Sequence, residues 1–311
     1  MKFFEKLSNV SKKKNSLLCV GLDPYQEMIP TVDDLLSLNR RIINATIDLA
    51  CAYKPNLAIY EGMGEAGLTA LKNTIDFIRE KDSDIPIIGD GKRGDIGNCS
   101  LAYTSMLFEK YKFDAVTANP YMGYDSIEPF IQYTDKGIYI LCRTSNPGGQ
   151  DIQELLVTRE GKPRSQYLYE VVAELAQKWN TNGNIGLVVG ATYPEQIERV
   201  REIVPDLPFL IPGVGFQGGN IENTVRAAVD SRGNGFVINV SRSIMDAGKT
   251  RDGHPSEYNM HVVANRIRNA INQSVSVLVK NPQNPEQQGY SNINRVNPTG
   301  EQTVPSKITV L

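Results

Sequence analysis

Histidine is nearly missing: the chain has two, His254 and His261, among 311 residues, and both follow the last strand-like run. The commonest general acid–base side chain is therefore absent from the interior, and proton chemistry falls to lysine and aspartate. Cysteine is sparse as well. Cys19, Cys51, Cys99 and Cys142 are scattered without C-x-x-C spacing, which argues against a zinc site. Three of them, Cys19, Cys51 and Cys142, sit in or beside apolar runs, where a small buried thiol is expected. A net charge of −2 gives no broad pull toward nucleic acid or membrane, so any anion site has to be local. No apolar stretch approaches membrane-spanning length. The run Leu17–Leu22 behind the N-terminal lysines stops at Asp23, too short for a signal-peptide core. A cytoplasmic location is expected.

What the chain does have is alternation. Short β-rich apolar runs at 17–22, 55–60, 85–89, 115–118, 138–142, 185–190, 208–212 and 235–240 alternate with helical patterns. Those patterns fall near 31–51, 64–81, 98–111, 125–133, 165–180, 194–203, 220–230 and 256–275. Eight β-then-α units predict a (β/α)₈ TIM barrel in the α/β class, built as a single domain over residues 1–280. A doubly wound open sheet is the structural alternative. Residues 146–164 form a longer loop after the fifth strand, a candidate lid or a tolerated insertion. From 281 to 311 the chain turns polar and rich in Asn, Gln and Pro, a C-terminal extension either docked by Ile308–Leu311 or disordered.

Barrel enzymes carry their chemistry at the C-terminal ends of the strands. Polar residues gather there: Asp23, Lys54 and Glu61, Asp90 and Lys92, Asn119, Ser145, Gln217 and Arg242. The densest group is Asp90-Gly91-Lys92-Arg93-Gly94-Asp95, after the run Ile85–Ile88. If extended geometry persists to Lys92, its side chain shares a face with Asp90, and Asp95 adds a third charge in the following turn. A bare D-x-K is more often an incidental ion pair at a solvated turn; the third charge and the clustering favour a site.

A second signal is the glycine-rich stretch from Ile211 to Gly219, after the seventh strand. Gly213, Gly215 and Gly218 mimic a dinucleotide fingerprint, but that motif belongs in the first βαβ unit with an acid ending the next strand. Here the next strand ends in Ser241-Arg242. Glycines after strand seven with a basic residue after strand eight suit a phosphate, held by backbone N–H groups and by Arg242.

Taken together, the residues closely resemble the orotidine 5′-phosphate decarboxylase family. The signature is Asp90-x-Lys92-x-x-Asp95 followed by Ile96-Gly97, with Lys54 in AYKPNLAIYE and Asp23 in VGLDP before it. After it come Arg143-Thr144-Ser145-Asn146-Pro147-Gly148, Gln217 in PGVGFQGG and Arg242 in NVSRSI, so the likeness covers roughly residues 15–270. KPNLAIYE and RTSNPGG suggest the longer bacterial-type subgroup. One departure is Cys99, where the family usually carries Thr or Ser reaching the neighbouring subunit's substrate; Ser100 stands beside it.

The resemblance implies decarboxylation of orotidine 5′-monophosphate to UMP, with no metal or organic cofactor. By its implication Lys92, Asp90, Lys54 and Asp95 are catalytic, with Lys92 protonating C6. Asp23, Ser145, Gln217, Gly218, Arg242, Ile96, Cys99, Asn119 and Pro212 would contact substrate. The family works as a homodimer with Asp95 entering the partner's site, and no nucleic-acid or membrane partner is expected. Two other readings compete: a Mg²⁺-dependent sugar-phosphate decarboxylase or aldolase on a related barrel, and a non-catalytic nucleotide-binding barrel. The first needs an acidic metal ligand on the second strand, where Glu61 is the only nearby candidate. A fused phosphoribosyltransferase half is not expected, since barrel and extension occupy the whole length.

Overall fold

Eight short strands run parallel and are neighbours in the order β2-β1-β8-β7-β6-β5-β4-β3. They are β1 (Leu18–Leu22), β2 (Ala52–Pro55), β3 (Ile88–Arg93), β4 (Ala115–Ala118), β5 (Gly137–Arg143), β6 (Ile185–Val189), β7 (Phe209–Ile211) and β8 (Phe236–Val240). Each strand in this order lies beside its neighbours in sequence, so there is no switch point of the kind a doubly wound sheet requires. Between the two ends of the list, Tyr53 bridges to Ile87 and Asn56 to Asp90, and the Tyr53 amide donates to Pro86 O at 3.0 Å. The result is a nearly closed barrel. This computed structural model describes residues 1–161, 164–215, 217–248 and 256–280; the polar extension 281–311 and His254 lie outside the described residues.

Alternation along the strands sorts side chains to the two faces of the barrel wall. Leu18, Val20 and Leu22 of β1, like Ile138 and Ile140 of β5, point outward into the main core under the helices. The inward positions form a second apolar cluster that takes one residue from each strand: Cys19, Ala52, Ile88, Ala115, Tyr139, Val188, Leu210 and Val237. This layer plugs the barrel, so any cavity has to open above it, toward the C-terminal ends of the strands.

The helices follow the expected pattern with local departures. A helix over Gly64–Lys81 and another over Pro194–Ile203 keep the predicted bounds. The second strand does not. Residues 55–60, expected as a strand, give way to a short helix, Leu57–Glu61, because Asn56 caps it by accepting from the Ala58 amide at 3.2 Å. The ladder with β1 uses the preceding residues, pairing Cys19 with Ala52 and Gly21 with Lys54. Similarly, β3 starts later than predicted and runs through the charged residues to Arg93. The expected helix at 98–111 is Gly97–Thr104 continued by a π-helical stretch to Lys110. The loop after β5 holds a one-turn helix, Gln150–Gln153, and a small antiparallel ribbon that pairs Leu156 with Tyr167.

A helix that was not expected, α1 (Phe3–Lys14), closes the N-terminal mouth. Its Phe3 and Leu7 join the interior plug beside Tyr139 and Cys51, and its Lys6 pairs with Asp114 at 2.7 Å. The C-terminal helix Glu257–Lys280 packs against the helices Val32–Thr46 and Ile221–Ala228. Among the described residues no helix is long and apolar enough to cross a membrane.

Candidate active site

Two residues above the apolar plug, the inward positions become Lys54, Asp90, Thr117, Leu141, Pro212 and Asn239, and these floor a cavity of about 390 Å³. Asp23, Ser145, Gln217 and Arg242 reach the same cavity from the loops above. The change from apolar to charged within one step of alternation puts the polar groups at the bottom of a cleft.

At the centre lies a row of three charges. The Lys54 ammonium is 2.6 Å from Asp90 Oδ2, and the Lys92 ammonium is 2.7 Å from Asp90 Oδ1. Lys54 and Asp90 are buried, at 4% and 7% exposure, while the Lys92 side chain stands 46% exposed at the mouth. Burying either Lys54 or Asp90 unpaired here would cost several kcal/mol, so each of the two needs its partner. Burial opposes the ionised form of Asp90, but the ammonium groups of Lys54 and Lys92 outweigh it and hold the carboxyl well below the usual carboxylate range. Burial likewise opposes a charged Lys54, and Asp90 with Asp23 outweigh it, so its ammonium is held above the ordinary lysine value.

Lys92 reaches Asp90 by a different route from the one its spacing suggested. Extended backbone does not persist: Lys92 has φ +48°, in the left-handed region that side-chain-bearing residues seldom adopt. The ladder with β4 passes from Gly89↔Val116 to Arg93↔Ala118, so the intervening residues bulge. The Lys92 side chain then returns to Asp90 across the bulge. Arg93 leaves the site and pairs with Glu61, which removes Glu61 from the cavity lining.

The anion end is built around the glycine-rich turn after β7. Within that turn the Gly215 amide bonds Gly219 O at 3.0 Å, the Gly218 amide bonds Gly215 O at 2.8 Å and the Gly219 amide bonds Gly213 O at 3.1 Å. Gly213, Gln217, Arg242 and Ser243 line the cavity there. Gly213 has to be glycine; its φ is +98°, and a Cβ would stand 2.9 Å from Gln217 Oε1. Across the cavity the Ser145 hydroxyl donates to Gln217 Oε1 at 3.0 Å and so joins the loops after β5 and β7. The loop carrying Thr144 and Ser145 is anchored by buried Arg143, which donates to Thr144 O at 2.6 Å and pairs with Glu154 at 2.6 Å.

Of the residues expected at the site, Lys54, Asp90, Lys92, Asp23, Ser145, Gln217, Arg242 and Pro212 line one cavity. Asp95, Ile96, Cys99, Asn119 and Gly218 do not. Asn119 is used as a turn cap, accepting from the Tyr121 amide at 3.0 Å. Asp95 accepts only from the adjacent Ile96 amide, at 2.8 Å, and has no ion-pair partner among the described residues. Close to it in sequence, Ile96 and Leu101 are large apolar residues at least half exposed, as are Tyr121 and Met122 after β4. Cys99 is exposed, whereas Ser100 is buried and donates to Ser126 O at 3.5 Å, so it does not point outward. The other three cysteines are buried, and burial pushes the Cys51 thiol up to about 12. Sequence reasoning missed Thr117 and Asn239, uncharged cavity residues whose only signal was inward register on their strands, and Asn56 and Ser241, just past the ends of β2 and β8.

Comparison with known proteins identifies the family. Residues 16–252 match the family model described as orotidine 5′-phosphate decarboxylase / HUMPS family. An orotidine 5′-phosphate decarboxylase of Cupriavidus metallidurans is 46% identical over 279 residues, covering 88% of this chain and 98% of its own. One from Dehalococcoides mccartyi is 46% identical over 272 residues, with the same coverage of 88% and 98%. Among solved structures, the OMP decarboxylase of Leishmania donovani superposes with a TM-score of 0.78 at 39% identity, over 89% of this chain and all of its own. A Toxoplasma gondii protein described as a putative orotidine-monophosphate decarboxylase gives 0.81 at 35% identity, over 91% of this chain and 99% of its own.

Proposed function

Given that this chain belongs to the orotidine 5′-phosphate decarboxylase / HUMPS family, we propose that its reaction is driven by the charge row Lys54–Asp90–Lys92, with no metal or organic cofactor. The protein is a carboxy-lyase that converts orotidine 5′-monophosphate to UMP and CO₂ in pyrimidine biosynthesis. The observation that carries the mechanism is a buried carboxylate held ionised between two ammonium groups at 2.6 and 2.7 Å on the cavity floor.

The difficulty of the reaction is electronic. The bond from C6 to the carboxylate breaks with its electron pair left on C6, where no adjacent carbonyl is placed to delocalise it well. Lys92 meets that charge with a positive one and then gives its proton to C6, forming the C6–H bond of UMP, while CO₂ leaves neutral. Asp90 faces the departing carboxylate; two like charges about 4 Å apart repel by about 4 kcal/mol at an effective dielectric near 20, a repulsion relieved as CO₂ forms. Fixed stabilisation by Lys92, oriented before substrate arrives, is the larger expected contribution. Lys54 keeps Asp90 ionised and in place. Gln217 and Arg242 grip the phosphate far from C6, and binding energy there goes into ordering the loops over the site, with 146–164 as the closing segment.

The active unit is proposed to be a cytoplasmic homodimer in which Asp95 enters the partner's cavity. The exposed apolar residues Ile96, Leu101, Tyr121 and Met122 and the Asp95 carboxylate's lack of an ion-pair partner among the described residues support this. A Mg²⁺-dependent sugar-phosphate reaction is disfavoured because Lys54 stands where an acidic ligand is needed and Glu61 is taken by Arg93. The test is loss of orotidine monophosphate absorbance with purified protein in excess EDTA. Turnover unaffected by EDTA is expected; activity abolished by EDTA and restored by Mg²⁺ would overturn the cofactor-free mechanism.

A further inference from the structure

Thr117 sits inside β4, facing the cavity and 2% exposed. Its hydroxyl accepts from the Lys92 backbone amide at 2.9 Å and donates to Asp90 Oδ1 at 2.9 Å. Chemistry fixes both directions: an amide only donates and an ionised carboxylate only accepts, so the hydroxyl proton has one place to point. Lys92 is also the residue at φ +48° within the bulge between Gly89 and Arg93. That conformation is disfavoured for any residue with a Cβ and persists only where the surroundings enforce it. The bulge takes the Lys92 amide out of the regular ladder, and the threonine hydroxyl is the acceptor it finds instead. Thr117 is itself held by the β5 ladder, opposite Tyr139, and its branched side chain has little rotamer freedom.

We propose that Thr117 is a positioning residue for the decarboxylation: its hydroxyl fixes the left-handed Lys92 backbone and the Asp90 carboxylate together, so that the Lys92 ammonium is aimed before substrate arrives. The proposal rests on the reading of Lys92 as the group that meets and protonates C6. Thr117 exchanges no proton with substrate in this scheme. Its effect passes through Lys92 and Asp90, and it belongs to the transition state more than to substrate binding.

Thr117→Val removes the hydroxyl and keeps the branch, while Thr117→Ser keeps the hydroxyl. Thr117→Val is expected to lower kcat roughly 10- to 100-fold, with KM for orotidine monophosphate moving less than about 3-fold. Thr117→Ser is expected to recover most of kcat. A second readout is independent of turnover: hydrogen exchange of the Lys92 amide in the unliganded protein, followed by NMR. It should quicken in Thr117→Val relative to wild type and to Thr117→Ser, while exchange in the strand cores stays slow and reports an intact barrel. Unchanged kcat in Thr117→Val overturns the positioning role, and unchanged Lys92 exchange overturns the tether. A wild-type protein that fails to turn over orotidine monophosphate counts against the decarboxylase mechanism instead, and the exchange comparison still decides whether Thr117 holds Lys92.

Discussion

Asp90 is the residue on which the site's stability and chemistry meet. Its carboxylate accepts from Lys54, Lys92 and Thr117, and its removal leaves Lys54 buried beside a second cation. Asp90→Asn is therefore expected to destabilise the fold by about 3 kcal/mol at neutral pH, measured by denaturant unfolding. The pH dependence follows from the shift directions. The Asp90 carboxyl is depressed, so its contribution is present above the ordinary aspartate value near about 3.9 and is lost as pH falls through its lower folded value. Lys54 is raised, so its contribution is present below about 10.4 and is lost as pH rises through its higher folded value. Stability from the pair is then flat between roughly pH 5 and 9. On the acid side, Asp90→Asn should lose stability less steeply than wild type, since it lacks one depressed carboxylate to protonate. At this scale the sequence showed charged residues better than neutral ones. Asp90, Lys92 and Lys54 stand out as charges beside apolar runs, while Thr117 and Asn239 look like ordinary strand residues until the register turns them inward.

Elements were legible where hydrophobic period and length agreed, as at Gly64–Lys81. They were misread where a short apolar run fits helix and strand equally, as at Leu57–Glu61, whose cap Asn56 decides the matter. The helix α1 carries Phe3, Leu7 and Val10 at helical spacing, a short pattern not read as an element from the sequence. Its place under the barrel is a tertiary fact: Phe3 fills the space over Gly137, where a Cβ would come within 2.1 Å of the ring. Phe3→Ala is expected to cost about 3–5 kcal/mol in denaturant unfolding, by opening a cavity in the plug. Because Phe3 sits at the N-terminal mouth and does not line the cavity, kcat of the folded variant should stay within about 2-fold of wild type; a larger drop would show that the two ends of the barrel are coupled. The bulge in β3 was hidden for another reason. Nothing in Asp-Gly-Lys-Arg-Gly-Asp marks Lys92, rather than a glycine, as the left-handed residue.

For the whole molecule, the (β/α)₈ order could be read from the regular recurrence of eight units, and the position of the site followed from the rule that strand C-termini carry the chemistry. The proposed second subunit is not visible from one chain, and Asp95, outside the cavity of its own chain, is where that matters. Equal amounts of Lys54→Ala and Asp95→Ala, each inactive alone, should on subunit exchange recover about a quarter of wild-type activity, because half the dimers are hybrids with one intact site. No recovery despite demonstrated exchange would place Asp95 in its own chain's site. The claim on which everything else depends is that Lys92 carries the chemistry, and the direct measurement is kcat of Lys92→Ala on orotidine monophosphate at saturating substrate. A loss of roughly 10³-fold or more, with the nucleotide still bound, is the expected result; a Lys92→Ala enzyme within about 10-fold of wild type would contradict it.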